Sequence, residues 1–201
     1  MRTSLSISVI GCHAEGEIGD VIVGGVLPPE GATMMERMIA MERDHDHIRR
    51  LLICEPRGSV ARHVNLIVPP ITPGCAAGAI VMEPTEYVPM SGSNTICIAT
   101  VLLETGMVPM QEPVTRFKLD MPGGVIEVTA DCQGGKCRSV TFRNAPAFAA
   151  VLDGALDEAT ARDALEKATA ARKQIATYLR EHKLVTSAQM AAANSIEFGM
   201  P

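Results

Sequence analysis

The chain has 201 residues, 47% hydrophobic and 20% charged, with 18 basic against 23 acidic side chains and a formal charge of −5. That length carries one sizeable core or two small ones, and the composition is far from that of a disulfide-stapled miniprotein or a disordered chain. The acidic balance, with no basic run interleaved with aromatics, argues against a nucleic-acid binder, and apolar stretches such as residues 96–103 fall short of the roughly 20 residues a membrane span needs.

Residues 4–10 are predicted to open the chain as a strand, and residues 20–23, ending at Gly24 and Gly25, to form a second. Residues 34–52 have helical periodicity, with Met35, Met38, Ile39, Ile48, Leu51 and Leu52 marking the apolar positions, and Pro56 and Gly58 stop them. Residues 66–69 and 79–82 are short apolar strands. From Ser93 the period changes, and Ile96, Ala99, Val101, Leu102 and Leu103 lead to Gly106 in a helix that is apolar nearly all round, hence a buried central one. Residues 117–121, 125–130 and 139–143 alternate as strands, separated by turns at Gly123-Gly124 and Gly134-Gly135.

After residue 150 the texture switches: only Gly154, Gly199 and Pro201 remain of the 17 glycines and 13 prolines. Residues 158–183 are rich in Ala, Lys, Arg and Glu, with Ala161, Leu165, Ala168, Ile175 and Leu179 on one face, and predict one long amphipathic helix docked through Leu165, Ile175 and Leu179. A short strand is expected near residues 196–201. The expected organisation is therefore a lobe over residues 1–150 and an Ala-rich helical tail over residues 151–201.

The six cysteines, Cys12, Cys54, Cys75, Cys97, Cys132 and Cys137, form no CxxC pair, and no secretory signal precedes them. Free thiols in a reducing cytoplasm are the expectation, with no metal site. Asp44-His45-Asp46-His47 is expected to be a solvated helix face, Arg57 to fix its turn through a salt bridge, and the methionines of residues 34–41 to fill core.

The most informative segment is Met90-Ser91-Gly92-Ser93-Asn94-Thr95-Ile96, at the start of the central helix. Backbone N–H groups there have no partner within the helix and sit at its positive pole, which suits a carboxylate or phosphate. A plain N-cap explains the same residues, because Ser, Asn and Thr all cap well, and both accounts remain open at this level.

That segment, followed by Ala99 and Glu104-Thr105-Gly106, resembles the first active-site motif of the proline racemase family, which includes hydroxyproline 2-epimerases and trans-3-hydroxy-L-proline dehydratases. Other blocks agree in order: His13-Ala14-Glu15-Gly16-Glu17 with Gly24-Gly25, then Glu55-Pro56-Arg57-Gly58, Pro69-Pro70, and Asn144-Ala145-Pro146-Ala147-Phe148. The resemblance spans roughly residues 5–150. It implies an α+β, diaminopimelate-epimerase-like lobe: a curled mixed sheet around a central helix, followed here by the helical tail. It also implies α-proton chemistry on hydroxyproline or a related cyclic amino acid, as epimerase or dehydratase, with no cofactor. In that family two cysteines, one at the start of each central helix, act as acid and base.

Here the first thiol position is Ser91, a serine variant of the motif, and the resemblance makes it the catalytic residue, with Gly92, Ser93 and Asn94 binding the substrate carboxylate. A second Cys-Gly-Thr motif is absent from the sequence. The competing expectation is therefore a truncated, non-catalytic member that binds at most a small carboxylate, and the chain alone is expected not to epimerise hydroxyproline. Expected partners are a proline-type amino acid and, among assemblies, a homodimer, with neither nucleic acid nor membrane.

Overall fold

In the computed structural model, which describes residues 5–144, 158–171, 178–179 and 181–184, the strands form one mixed sheet. In chain order they are β1 (Ser8–Ile10), β2 (His13–Ala14), β3 (Glu17–Gly24), β4 (Arg62–Val68), β5 (Ala77–Met82), β6 (Tyr87–Val88), β7 (Val114–Met121), β8 (Gly124–Gln133) and β9 (Lys136–Phe142). The spatial order is β1-β3-β4-β5-β7-β8-β9, with β2 paired to β3 and β6 to β5. β3 and β4 run parallel, as do β5 and β7, and the other pairs are antiparallel. Parallel neighbours need crossovers. Helix α1 (Met34–Ile53) lies between β3 and β4 in the chain, and α2 (Gly92–Glu104) lies between β5 and β7.

Alternation along the strands sorts side chains into two cores. On β5, buried along its whole length, Ala77, Ala79 and Val81 join Ile98, Ala99, Leu102 and Leu103 of α2, whereas Ile80 and Met82 join Met34, Met38, Met41 and Ile48 of α1. On β4, Val64, Leu66 and Val68 face the α1 core while Ile67 packs on the α2 core. By the same period His63 and Asn65 share the face of Ile67. Helix α2 packs against β2, β3 and β4 and also against β9 at the far end of the sheet. The sheet thus curls around α2, the α+β lobe expected from the sequence.

Residue choice explains the boundaries. Thr33 caps α1, its Oγ1 accepting from the Glu36 N–H at 3.1 Å, while Glu36 Oε2 accepts from the Ala32 N–H at 2.7 Å. The β8–β9 hairpin turns at Gly134 and Gly135, both at positive φ, and pairs Cys132 with Cys137 across it as free thiols. At the other end of α2, Glu104 fastens that hairpin, accepting from Lys136 Nζ at 2.6 Å and from the Cys137 N–H at 3.1 Å; Lys136 holds its carboxyl below the ordinary range.

Some expectations need correction. Met35 and Ile39 are exposed, because the buried face of α1 runs through Met34, Met38, Met41, Ile48 and Ile53. β4 begins at Arg62 rather than residue 66: its polar half is as well paired as its apolar half. Arg57 is exposed and forms no ion pair among the described residues.

The chain divides into two compact units, Met1–Ala145 and Pro146–Pro201. In the second, α3 (Glu158–Ala170) buries Ala164 and Ala168, one turn apart, with Leu165 half-buried and a Lys167–Asp163 ion pair at 2.7 Å. Leu179 is buried; Ile175 and the expected strand near 196–201 lie outside the described residues. Among the described residues no helix is long and apolar enough to cross a membrane.

Candidate active site

Helix α2 begins inside the curl with its first turn against β3 and β4. Ser91 has extended backbone angles, φ −141° and ψ 136°, and its carbonyl accepts from the Thr95 N–H at 3.0 Å and from Thr95 Oγ1 at 2.7 Å. It is an N-cap by backbone only, since its hydroxyl makes no capping bond. Among the described residues no acceptor pairs with the N–H groups of Gly92, Ser93 or Asn94, and the first two residues are only half-buried. The plain-cap account thus leaves the hydroxyl unexplained.

That hydroxyl is engaged by Asn94, which is fully buried. Asn94 Nδ2 donates to Ser91 Oγ at 3.0 Å and lies 3.1 Å from His63 Nδ1 and 3.5 Å from Glu83 Oε1. Its Oδ1 accepts from Asn65 Nδ2 at 2.9 Å, and the same Asn65 nitrogen reaches the Asp20 carbonyl at 3.2 Å. Glu17 Oε1 stands 3.5 Å, and Glu83 Oε1 3.9 Å, from His63 Nδ1. Asp20, itself buried, is paired with Arg62. Three strands and a helix therefore bring Glu17, His63, Asn65, Glu83, Ser91 and Asn94 to one place.

Gly19 makes this approach feasible. Register sets it opposite His63, and a Cβ there would stand 2.9 Å from both Asn94 Oδ1 and Cys97 Sγ. Cys97 is buried beneath the N–H groups, one turn too deep to join them. Its thiol beside Cys12 holds the Cys12 thiol below the ordinary range, at about 7, while Cys97 itself is pushed up.

Other candidates do not converge here. His13 Nδ1 accepts from the Gly16 N–H at 3.2 Å within its own turn. Asp44 pairs with Arg43, and Asp46 with Arg49 and the Tyr87 hydroxyl, around a kink of α1 at His45 (φ −130°, ψ 15°). Among the described residues no group of three or more His, Cys, Asp or Glu could hold a metal ion. A shallow hollow of about 600 Å³ along β7–β9, lined by residues such as Glu112, Asp131 and Arg138, contains none of the Ser91 cluster.

Sequence reasoning placed Ser91 to Asn94 at the helix start but missed Glu17 as a partner of the site, and His63, Asn65 and Glu83 altogether. A signal existed: His63 and Asn65 are polar residues alternating at the head of a strand whose positions Val64 and Leu66 to Val68 are apolar, a pattern that asks for buried partners.

The proline racemase family model matches residues 9–161. Among solved structures, a hydroxyproline epimerase from Agrobacterium vitis with bound trans-4-hydroxy-L-proline is 38% identical with a TM-score of 0.67, over 71% of this chain and 42% of that one. A probable proline racemase from Agrobacterium radiobacter K84 with bound carbonate is 39% identical with a TM-score of 0.69, over 74% of this chain and 44% of that one. The chain thus spans less than half the length of either.

Proposed function

The chain belongs to the proline racemase family, and from that premise we propose that its α2 start holds the carboxylate of hydroxyproline or a related cyclic amino acid while Ser91 serves one face of the α-carbon. The observation that carries this reading is the Ser91 side chain: it leaves its own helix uncapped, so an alcohol and the N–H groups of Gly92, Ser93 and Asn94 stand together at a half-buried positive pole. A carboxylate there would be met by backbone donors without a charged side chain.

The chemistry follows from the donors. An alcohol is a weak base but a usable proton donor when the resulting oxyanion is stabilised. Asn94 Nδ2, donating to Ser91 Oγ, supplies that stabilisation together with the helix pole. Ser91 would deliver a proton to the α-carbon, or accept one in the reverse direction, in epimerisation or as part of a dehydration. No cofactor is assigned. The two relatives whose structures hold trans-4-hydroxy-L-proline and carbonate support a small ligand with a planar oxyanion group, as a carboxylate has. A cytoplasmic location, in keeping with the free thiols of the described residues, and a homodimer complete the reading.

The test is an amide NMR titration with trans-4-hydroxy-L-proline. The Gly92, Ser93 and Asn94 amides should move first; shifts confined to other regions, or none, would overturn the site. Incubation in deuterated water with mass spectrometry then asks whether α-deuterium enters. Incorporation that survives Ser91→Ala would remove Ser91 from the chemistry.

A further inference from the structure

The polarity of the buried cluster can be followed bond by bond from a group whose role is fixed. A backbone carbonyl only accepts, so the Asn65 nitrogen 3.2 Å from the Asp20 oxygen must be the amide donor. Flipping Asn65 would set oxygen against oxygen, and the amide keeps this orientation although its own Oδ1 has no partner among the described residues. The same NH2 group meets Asn94 at 2.9 Å, so Asn94 presents its oxygen to Asn65 and its NH2 to Ser91 and His63. An NH2 group has two hydrogens. One goes to Ser91 Oγ; the other has two acceptors in reach, His63 Nδ1 at 3.1 Å and Glu83 Oε1 at 3.5 Å, and the nearer one takes it when Nδ1 is unprotonated, leaving the imidazole proton on Nε2. With its oxygen already accepting, Ser91 keeps its own hydrogen to donate outward.

We propose that His63 is the positioning residue of this site: its bare Nδ1 anchors the second hydrogen of Asn94 and thereby holds the first one on Ser91 Oγ. The inference deepens the role of Ser91 proposed above and rests on it. His63 touches no reacting atom in this scheme and acts only through Asn94. The carboxylates facing Nδ1, Glu17 from β3 and Glu83 from the end of β5, offer a competing arrangement in which Nδ1 carries a proton and points at them. In that arrangement Asn94 keeps only the longer 3.5 Å contact to Glu83 Oε1 for its second hydrogen. Two polarities of one network are thus separated by a single proton, and the 3.1 Å contact to Asn94, shorter than the 3.5 Å and 3.9 Å carboxylate distances, favours the bare form.

Two measurements on the full chain test this without requiring turnover. Long-range proton–nitrogen correlation of the unmodified protein at neutral pH should give the Nε2–H tautomer for His63; an Nδ1–H tautomer overturns the proposal. The second uses a thiol as reporter. In Ser91→Cys, the Asn94 donor should lower the thiol pKa, read residue by residue from alkylation rates against pH by peptide mass spectrometry. Adding His63→Leu should raise it by about 0.5–1 unit, the order expected for loss of one hydrogen bond to the charged form. Adding His63→Asn instead, whose amide oxygen can stand in for Nδ1, should restore most of the shift. If the thiol ignores position 63, or if Asn behaves like Leu, His63 does not position the site. Because the reporter needs no ligand, failure here is distinct from failure of trans-4-hydroxy-L-proline to bind, which would sink the functional reading while leaving the coupling measurable.

Discussion

The N-terminus of α1 is closed by its own side chains, whereas that of α2 is left open although its first residues are good caps. At α1, Thr33 and Glu36 each satisfy a backbone N–H. At α2, the Ser91 hydroxyl turns to the Asn94 side chain and three N–H groups stay without acceptors among the described residues. Capping stabilises a protein by about 1 kcal/mol, so forgoing it is a local cost. The difference separates a helix whose start only has to be stable from one whose start is arranged around something else. The cost is tolerated because the rest of α2 is buried in the curl of the sheet, where apolar packing fixes its position.

Substitutions can break this contrast in graded steps. The largest effect should come from Asn94→Ala, which strands the buried Asn65 amide as well as freeing Ser91; about 2–4 kcal/mol of stability should be lost, read from the urea midpoint. Gly19→Ala should follow, at about 1–3 kcal/mol, because a methyl group there presses Asn94 and Cys97 away from β3. If Gly19→Ala is neutral in urea, the close approach of α2 to the strand is not needed.

Thr33→Ala and Ser91→Ala test the comparison most directly. Thr33→Ala should lower stability by about 1 kcal/mol, while Ser91→Ala should stay within about 0.5 kcal/mol and instead abolish any α-deuterium exchange. Equal losses for the two would mean that Ser91 caps after all. The smallest effect concerns Cys12, next to the α2 core. Its native thiol value of about 7 is below that of an unfolded thiol, so the folded state binds fewer protons between the two values. Stability should therefore rise slightly as pH increases through that window and lose this increment as pH falls through about 7. Alkylation of Cys12 should reach half its maximal rate near pH 7, ahead of Cys75 and Cys137, which burial pushes up. Cys12 reacting no earlier than those two would contradict the influence of the neighbouring Cys97 thiol on it.

Much of the lobe was legible in the sequence because its signals are local. The 34–52 helix, the apolar run ending at Gly106, and the turns at Gly123 and Gly134 each follow from period and from residues that only certain backbone angles accept. The ordered motif blocks also identified the helix start at Ser91, the Ser variant, and the α+β lobe. The exposed Met35 and Ile39 show the limit of periodicity: it establishes a helix, but the choice between overlapping apolar stripes waits for the sheet beneath.

The tertiary structure decided which polar groups meet. Glu17, His63 and Glu83 look in sequence like unrelated polar residues at or near strand ends. Parallel pairing of β3 with β4 sets His63 opposite Gly19, antiparallel pairing of β4 with β5 sets Asn65 opposite Val81, and the missing Cβ of Gly19 admits Asn94 between them. Polar contacts act over about 3 Å, while the partners here, Ser91 with Asn94 apart, lie 11 to 46 residues apart in the chain. No local pattern encodes such a meeting; it exists only once the sheet has curled around α2.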